Sequence, residues 1–148
     1  MKFSSLLIIT FSYLSSYLAS QVSKPLSSYT KTSCMGSCPA FRFEVYMNGK
    51  AFYTGKENVE RLGKWSADVS DSELEEIKSI FEKNDFFSFK DRYYAEISDL
   101  PVTYIEFRSD GKEKKVMDYY GAPLKLKQLE QEVEAIIERL KWVRIPLK

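Results

Sequence analysis

Two stretches of the chain alternate apolar and polar residues as hairpin strands do, and each is followed by a stretch with helical spacing. In the first, Phe41, Phe43 and Val45 alternate with Arg42, Glu44 and Tyr46 ahead of Asn48-Gly49. An Asn-Gly pair favours a two-residue type I′ turn, because both turn positions need positive φ. That turn predicts Val45 opposite Phe52 and Glu44 opposite Tyr53, with Tyr46 and Tyr53 on the face away from Phe43. After a Gly- and Trp-containing link over 58–68, Ser70 and Glu73 have the spacing of a capping box, and Val69 with Leu74 that of a hydrophobic staple. Leu74, Ile77, Ile80 and Phe81 then form one apolar helix face, with Asn84 as a stop. Phe86, Phe87 and Phe89 read as a core plug behind it.

The second hairpin follows a polar, tyrosine-bearing connection over 91–101. Residues 102–109 and 112–119 flank Asp110-Gly111, again a hairpin turn pair. The register puts Arg108 opposite Glu113, Glu106 opposite Lys115 and Tyr104 opposite Met117, while Ile105 meets Val116 on the other side. Pro123 suits the first turn of a last helix. Its stripe is Leu126, Leu129, Val133, Ile136, Ile137 and Leu140, with Trp142, Val143 and Ile145 beyond. The pattern predicts an α+β fold: a four-stranded, mostly antiparallel sheet from two β-hairpins, each followed by a helix (ββαββα), with both helices on one face.

At 148 residues the chain holds one ordinary domain. Lys2, the apolar run from Leu6 to Ile9 and the small residues Ala19-Ser20 read as a signal peptide over 1–20, the alternative being a retained N-terminal helix. Ser12, Ser15 and Ser16 dilute the run too much for a membrane span. Residues 21–32, polar with Pro25, are expected to be a tether, and 33–145 a single α+β domain. The location is then exported, periplasmic or extracellular. Cleavage takes Lys2 from the 22 Lys and Arg and leaves the rest balanced by 21 Asp and Glu. This gives no reason to invoke nucleic acid or an anionic membrane. There is no histidine, which excludes His-based triads and zinc sites.

The chemistry of the chain concentrates in Cys34-Met35-Gly36-Ser37-Cys38-Pro39. In an exported protein the two cysteines fit a structural disulfide closing a five-residue ring. Alternatively they form a dithiol or a Cu(I) site with Met35 as a thioether. In spacing, C-x-x-x-C-P resembles the copper motif of Sco-type chaperones, without that family's histidine ligand or its alternating strands and helices. A wider resemblance covers about Tyr29 to Leu140. Cys34-x-Gly36-x-Cys38-Pro39-x-Phe41, Asn48-Gly49, Asp99-x-Pro101 and Tyr120-Gly121-Ala122-Pro123, with Leu126 and Leu129-Glu130, resemble a family of secreted bacterial domains of unknown function frequent in Bacteroidetes. The resemblance implies bacterial export, supports the cysteine pairing, and brings no catalytic residue.

By the predicted registers Tyr46, Tyr53, Tyr104 and Tyr119 share the open face, either as a recognition surface or as ordinary strand residues. Asp85, Asp91, Glu96 and Asp99 lack the spacing of a calcium loop. The Glu and Lys run from Glu130 to Lys141 reads as a solvated helix face. The expected function is a non-enzymatic exported module, without a cofactor, that binds a protein or cell-envelope component through the tyrosine face. The alternative is a periplasmic thiol or Cu(I)-handling protein using Cys34 and Cys38.

Overall fold

Ser27–Lys31, expected to lie in a tether, form a strand (β1) in the interior of the sheet. The computed structural model describes residues 23–146, so the signal-peptide reading of 1–20 lies outside the described residues. After β1 come β2 (Ala40–Val45), β3 (Lys50–Glu57), β4 (Gly63–Asp68), α1 (Asp71–Lys83) and a 3-10 turn at Phe86–Ser88. The remainder is β5 (Arg92–Tyr93), β6 (Thr103–Ser109), β7 (Lys112–Asp118), α2 (Leu124–Arg139) and β8 (Val143–Arg144). The expected four-stranded ββαββα sheet is thus corrected to an eight-stranded mixed sheet, ordered β5-β7-β6-β1-β2-β3-β4-β8, with β5 and β7 as its parallel pair. The link over 58–68 contributes β4, the start of the 91–101 connection adds the short edge strand β5, and the segment after α2 adds β8.

The two hairpins close differently. At Asp110-Gly111 both residues have positive φ, 50° and 73°, so the type I′ turn forms and the predicted register holds, Ile105 opposite Val116. At Asn48-Gly49 only the glycine enters the left-handed region, with φ 75°. The loop is Met47-Asn48-Gly49. Tyr46 N–H donates to Lys50 C=O at 2.9 Å and Gly49 N–H to Tyr46 C=O at 3.1 Å. A three-residue loop ending in a left-handed residue shifts the pairing by one. Val45 therefore faces Ala51, Glu44 faces Phe52 and Phe43 faces Tyr53, which corrects the expected Val45–Phe52 and Glu44–Tyr53 pairs. Gly49 is held by α1's approach, since its carbonyl accepts from Val69 N–H at 2.8 Å.

Helix α1 starts at the predicted capping box: Ser70 Oγ accepts from Glu73 N–H, and Glu73 Oε2 accepts from Ser70 N–H at 2.8 Å. Pro123 is the N-cap of α2 rather than part of its first turn. Both helices pack on one side of the sheet. From α1, Phe81 stacks on Phe107 of β6 at 4.2 Å, with Phe86 edge-on to both. Past α2, Trp142 meets the rings of Phe43 and Tyr53. The register puts Tyr29, Phe43, Tyr53 and Ile105 in one row on that side, all buried. Among the described residues no helix is long and apolar enough to cross a membrane.

Candidate functional site: the uncovered sheet face

On the other side of the sheet, strand alternation assembles two rows across neighbouring strands. One is Phe52, Glu44, Ser28, Glu106 and Lys115; the next is Thr54, Arg42, Thr30, Tyr104 and Met117. Neither helix covers them, yet between the exposed Phe52 and Lys115 the side chains bury one another at least in part. Small β1 residues make room at the centre, where Ser28 is sealed beneath its larger neighbours.

A charged band runs through the middle of this face. Arg42 Nη2 donates to Glu44 Oε1 at 2.7 Å and Nη1 to Thr30 Oγ1 at 3.3 Å. Arg108 bridges Glu113 at 2.7 Å and Glu106 at 3.3 Å, and its Nη1 donates to Pro25 C=O at 2.7 Å. Lys115 sits 3.1 Å from Glu106 and 5.0 Å above the Tyr104 ring. The bonds to Arg108 and Lys24 hold the Glu113 carboxyl down at about 2. The bond to Glu44 raises Arg42 further. Aromatic groups flank the band: Tyr46 packs edge-on against Phe52 at 5.8 Å on one side, and Tyr104 lies beside Met117 on the other. Partial burial, then Glu44, raise the Tyr46 hydroxyl, so it stays protonated as a hydrogen-bond donor at neutral pH.

Of the four expected tyrosines, Tyr46 and Tyr104 occupy this face. Tyr53 does not: the one-residue shift turns it to the helix side, where it is 4% exposed and burial pushes its hydroxyl up to about 12. Tyr119 lies past the end of β7 and serves the neighbouring loop, donating to Ile97 C=O and stacking on Tyr94 at 5.4 Å.

Cys34 and Cys38 are disulfide-bonded, with Cα atoms 5.6 Å apart. Gly36 N–H donates to Cys34 Sγ at 3.3 Å inside the ring, and Asn58 Nδ2 donates to Cys38 C=O at 3.2 Å, tying the ring to the β3–β4 connection. A cavity of about 320 Å³ lies between this ring, that connection and α2. Two of its carboxylates are paired, Glu134 with Lys31 and Glu138 with Arg61, and Glu60 lines it as a third. Among the described residues no cluster of three or more Cys, Asp or Glu is placed to hold a metal ion. Asp85 and Asp99 instead supply positive-φ turns, and Asp91 pairs with Lys114 at 2.8 Å.

The sequence reading missed one buried polar cluster. Glu130, expected on a solvated helix face, is 6% exposed and abuts Asp118, itself buried, with Lys127 reaching both carboxyls. Burial, then the bond to Asp118, raise the Glu130 carboxyl to about 8. Nearby, Tyr29 Oη donates to Glu134 Oε1 at 2.5 Å. Burial, then Glu134 and Glu130, raise the Tyr29 hydroxyl far above its ordinary value. The signal was in the spacing, since position 130 falls on the same helical stripe as Leu126 and Val133.

Residues 26–137 match a family described as a domain of unknown function, DUF6438. No curated protein matches the chain.

Proposed function

The chain belongs to the DUF6438 family, and we propose that it is an exported bacterial binding module whose uncovered sheet face takes a protein or cell-envelope partner. The observation that carries this is the pairing on that face of internally neutralised charges with partly exposed aromatics, Tyr46 beside Phe52 and Tyr104 beside Met117. Aromatic groups next to organised Arg and Glu side chains combine apolar contact area with directional hydrogen bonds, the composition of recognition patches. Export accords with the disulfide, which persists outside reducing compartments.

The test is sedimentation of the purified protein with isolated envelopes, comparing Tyr46→Ser/Tyr104→Ser with a Leu124→Ser control away from the face. Loss of about tenfold in bound fraction by the double variant alone, at unchanged melting temperature, is expected. Equal binding of the double variant would overturn the reading.

The alternative, thiol or Cu(I) handling by Cys34, Cys38 and Met35, draws on the exposure of Met35, 86%. Against it, the disulfide leaves no thiolate, and the nearby cations Lys31 and Arg42 are engaged by Glu134 and Glu44.

A further inference from the structure

Strand β7 is paired along its whole length with β6, but on its outer side β5 covers only Met117 and Asp118. The hydrogen bonds at that short pairing fix which main-chain groups point outward. Met117 N–H donates to Asp91 C=O and Tyr119 N–H to Tyr93 C=O, so odd-numbered residues of β7 face away from β6. Glu113 and Lys115 therefore present their N–H and C=O groups to an edge that no strand of the described residues occupies.

A groove of about 750 Å³ follows this edge. Lys112 to Lys115 form its floor, with Phe87 and Asp91 on one side and Arg92 and Tyr104 on the other. It carries four cations, Arg92, Lys112, Lys114 and Lys115, against two carboxylates, Asp91 and Glu113. Lys114 is paired with Asp91 and Lys115 with Glu106, while Lys112 and Arg92, set over the rings of Phe87 and Tyr94, have no carboxylate partner among the described residues. Phe87, under the Lys112 ammonium at 5.9 Å, and Met117 supply apolar contact.

We propose that the outer edge of β7 over residues 112–116 is a docking site for an extended acidic peptide, which adds to the sheet as a further strand. In that mode main-chain bonds supply affinity and alternate side chains supply selectivity. Lysines on an edge deter uncharged strands, and deter a second copy of this chain because pairing would stack cation on cation. An acidic segment meets the opposite situation, since its carboxylates reach Lys112 and Arg92 while its backbone fills the open ladder positions. The inference goes beyond the face reading, because it rests on the main chain of β7 and stands whether or not Tyr46 and Phe52 contact anything.

The probe is a fluorescein-labelled seven-residue peptide alternating glutamate and threonine, titrated into the whole protein and followed by anisotropy. Saturable binding is expected, with at least tenfold weaker binding of a lysine–threonine peptide. Two N-methylated forms of the probe, blocked at odd or at even amides, should separate, because only one set of amides faces the strand. Exchange of the Glu113 and Lys115 amides should slow on binding. Lys115→Pro removes an outward N–H that the β6 ladder does not use, so the variant should fold and bind at least tenfold more weakly. Absence of saturable binding at millimolar probe, equal binding of both methylated forms, or unchanged affinity of folded Lys115→Pro would overturn the proposal. So would a peptide-free dimer that Lys115→Pro renders monomeric, since the edge would then belong to a second copy.

Discussion

Tyr53 stands directly opposite Phe43 across the first hairpin, on the helix-covered side of the sheet, with its ring 5.6 Å from that of Trp142. Tyr46, seven residues before it in the chain, lies on the other side. The pair gives a contrast within one hairpin. Tyr53→Ser should destabilise by about 3 kcal/mol, as removal of a packed aromatic does, while Tyr46→Ser should stay within about 0.5 kcal/mol. Urea unfolding of the two variants checks this, and equal costs would contradict the shifted register.

Gly55 should tolerate no side chain. A Cβ there would lie 1.8 Å from the carbonyl oxygen of Arg61, because the β3–β4 connection folds back onto the strand. Gly55→Ala is expected to cost at least about 2 kcal/mol through forced backbone displacement. Gly36→Ala, whose Cβ would have nothing nearer than Cys34 Sγ at 3.7 Å, should be close to neutral. Melting temperatures of the two variants decide the matter.

Glu130 predicts a falling stability with rising pH. Its carboxyl is raised from an ordinary 4.5 to about 8, so the folded state binds the extra proton between those values. The contribution is fully present below about pH 4.5 and lost as pH rises through about 8. Urea midpoints for the wild type should therefore drop between pH 5 and pH 8.5 by more than those of Glu130→Gln. Parallel profiles would show that the group does not titrate in that window.

Replacing Cys34 and Cys38 together by Ser should lower stability by about 2 kcal/mol, the loop-entropy estimate for so short a ring, and leave the fold intact. Denaturant melts with matching circular dichroism spectra are the check. Disruption of β2 would mean that the ring, through Asn58, sets the strand's position rather than merely shortening the loop.

Both helices, the caps of α1 and the second hairpin could be read from local chemistry, because Ser70 with Glu73 and Asp110-Gly111 determine their geometry within a few residues. Asn48-Gly49 could not be settled in that way. The same dipeptide serves a two- or a three-residue loop, and here Gly49 is fixed from a distance by Val69. That single residue of shift removed Tyr53 from the candidate face. The edge strands β5 and β8 are two residues each, too short to show a period. Strand β1 carries Ser27 and Ser28 where an apolar pattern would be sought, and its identity depends on neighbours on both sides. The β7 groove was visible as lysines at 112, 114 and 115 but not as an unpaired edge, which only the strand order reveals.

The position of β1 also sets an order of assembly. Among the described residues the two halves of the sheet pair only through it, and its far neighbour is β6, with Pro25 and Arg108 bonded across a separation of 83 positions. During synthesis this strand emerges before the other described strands and completes its pairing only after β6 has been made. Such distant pairing is slow, and a waiting strand with a free edge invites wrong partners. Ser-Ser-Tyr-Thr-Lys is a segment suited to the wait: nearly without apolar side chains, it stays solvated as a single chain and is buried only when both neighbours arrive. The polar composition that hides β1 from a hydrophobic pattern is therefore what lets it wait for the second half of the sheet.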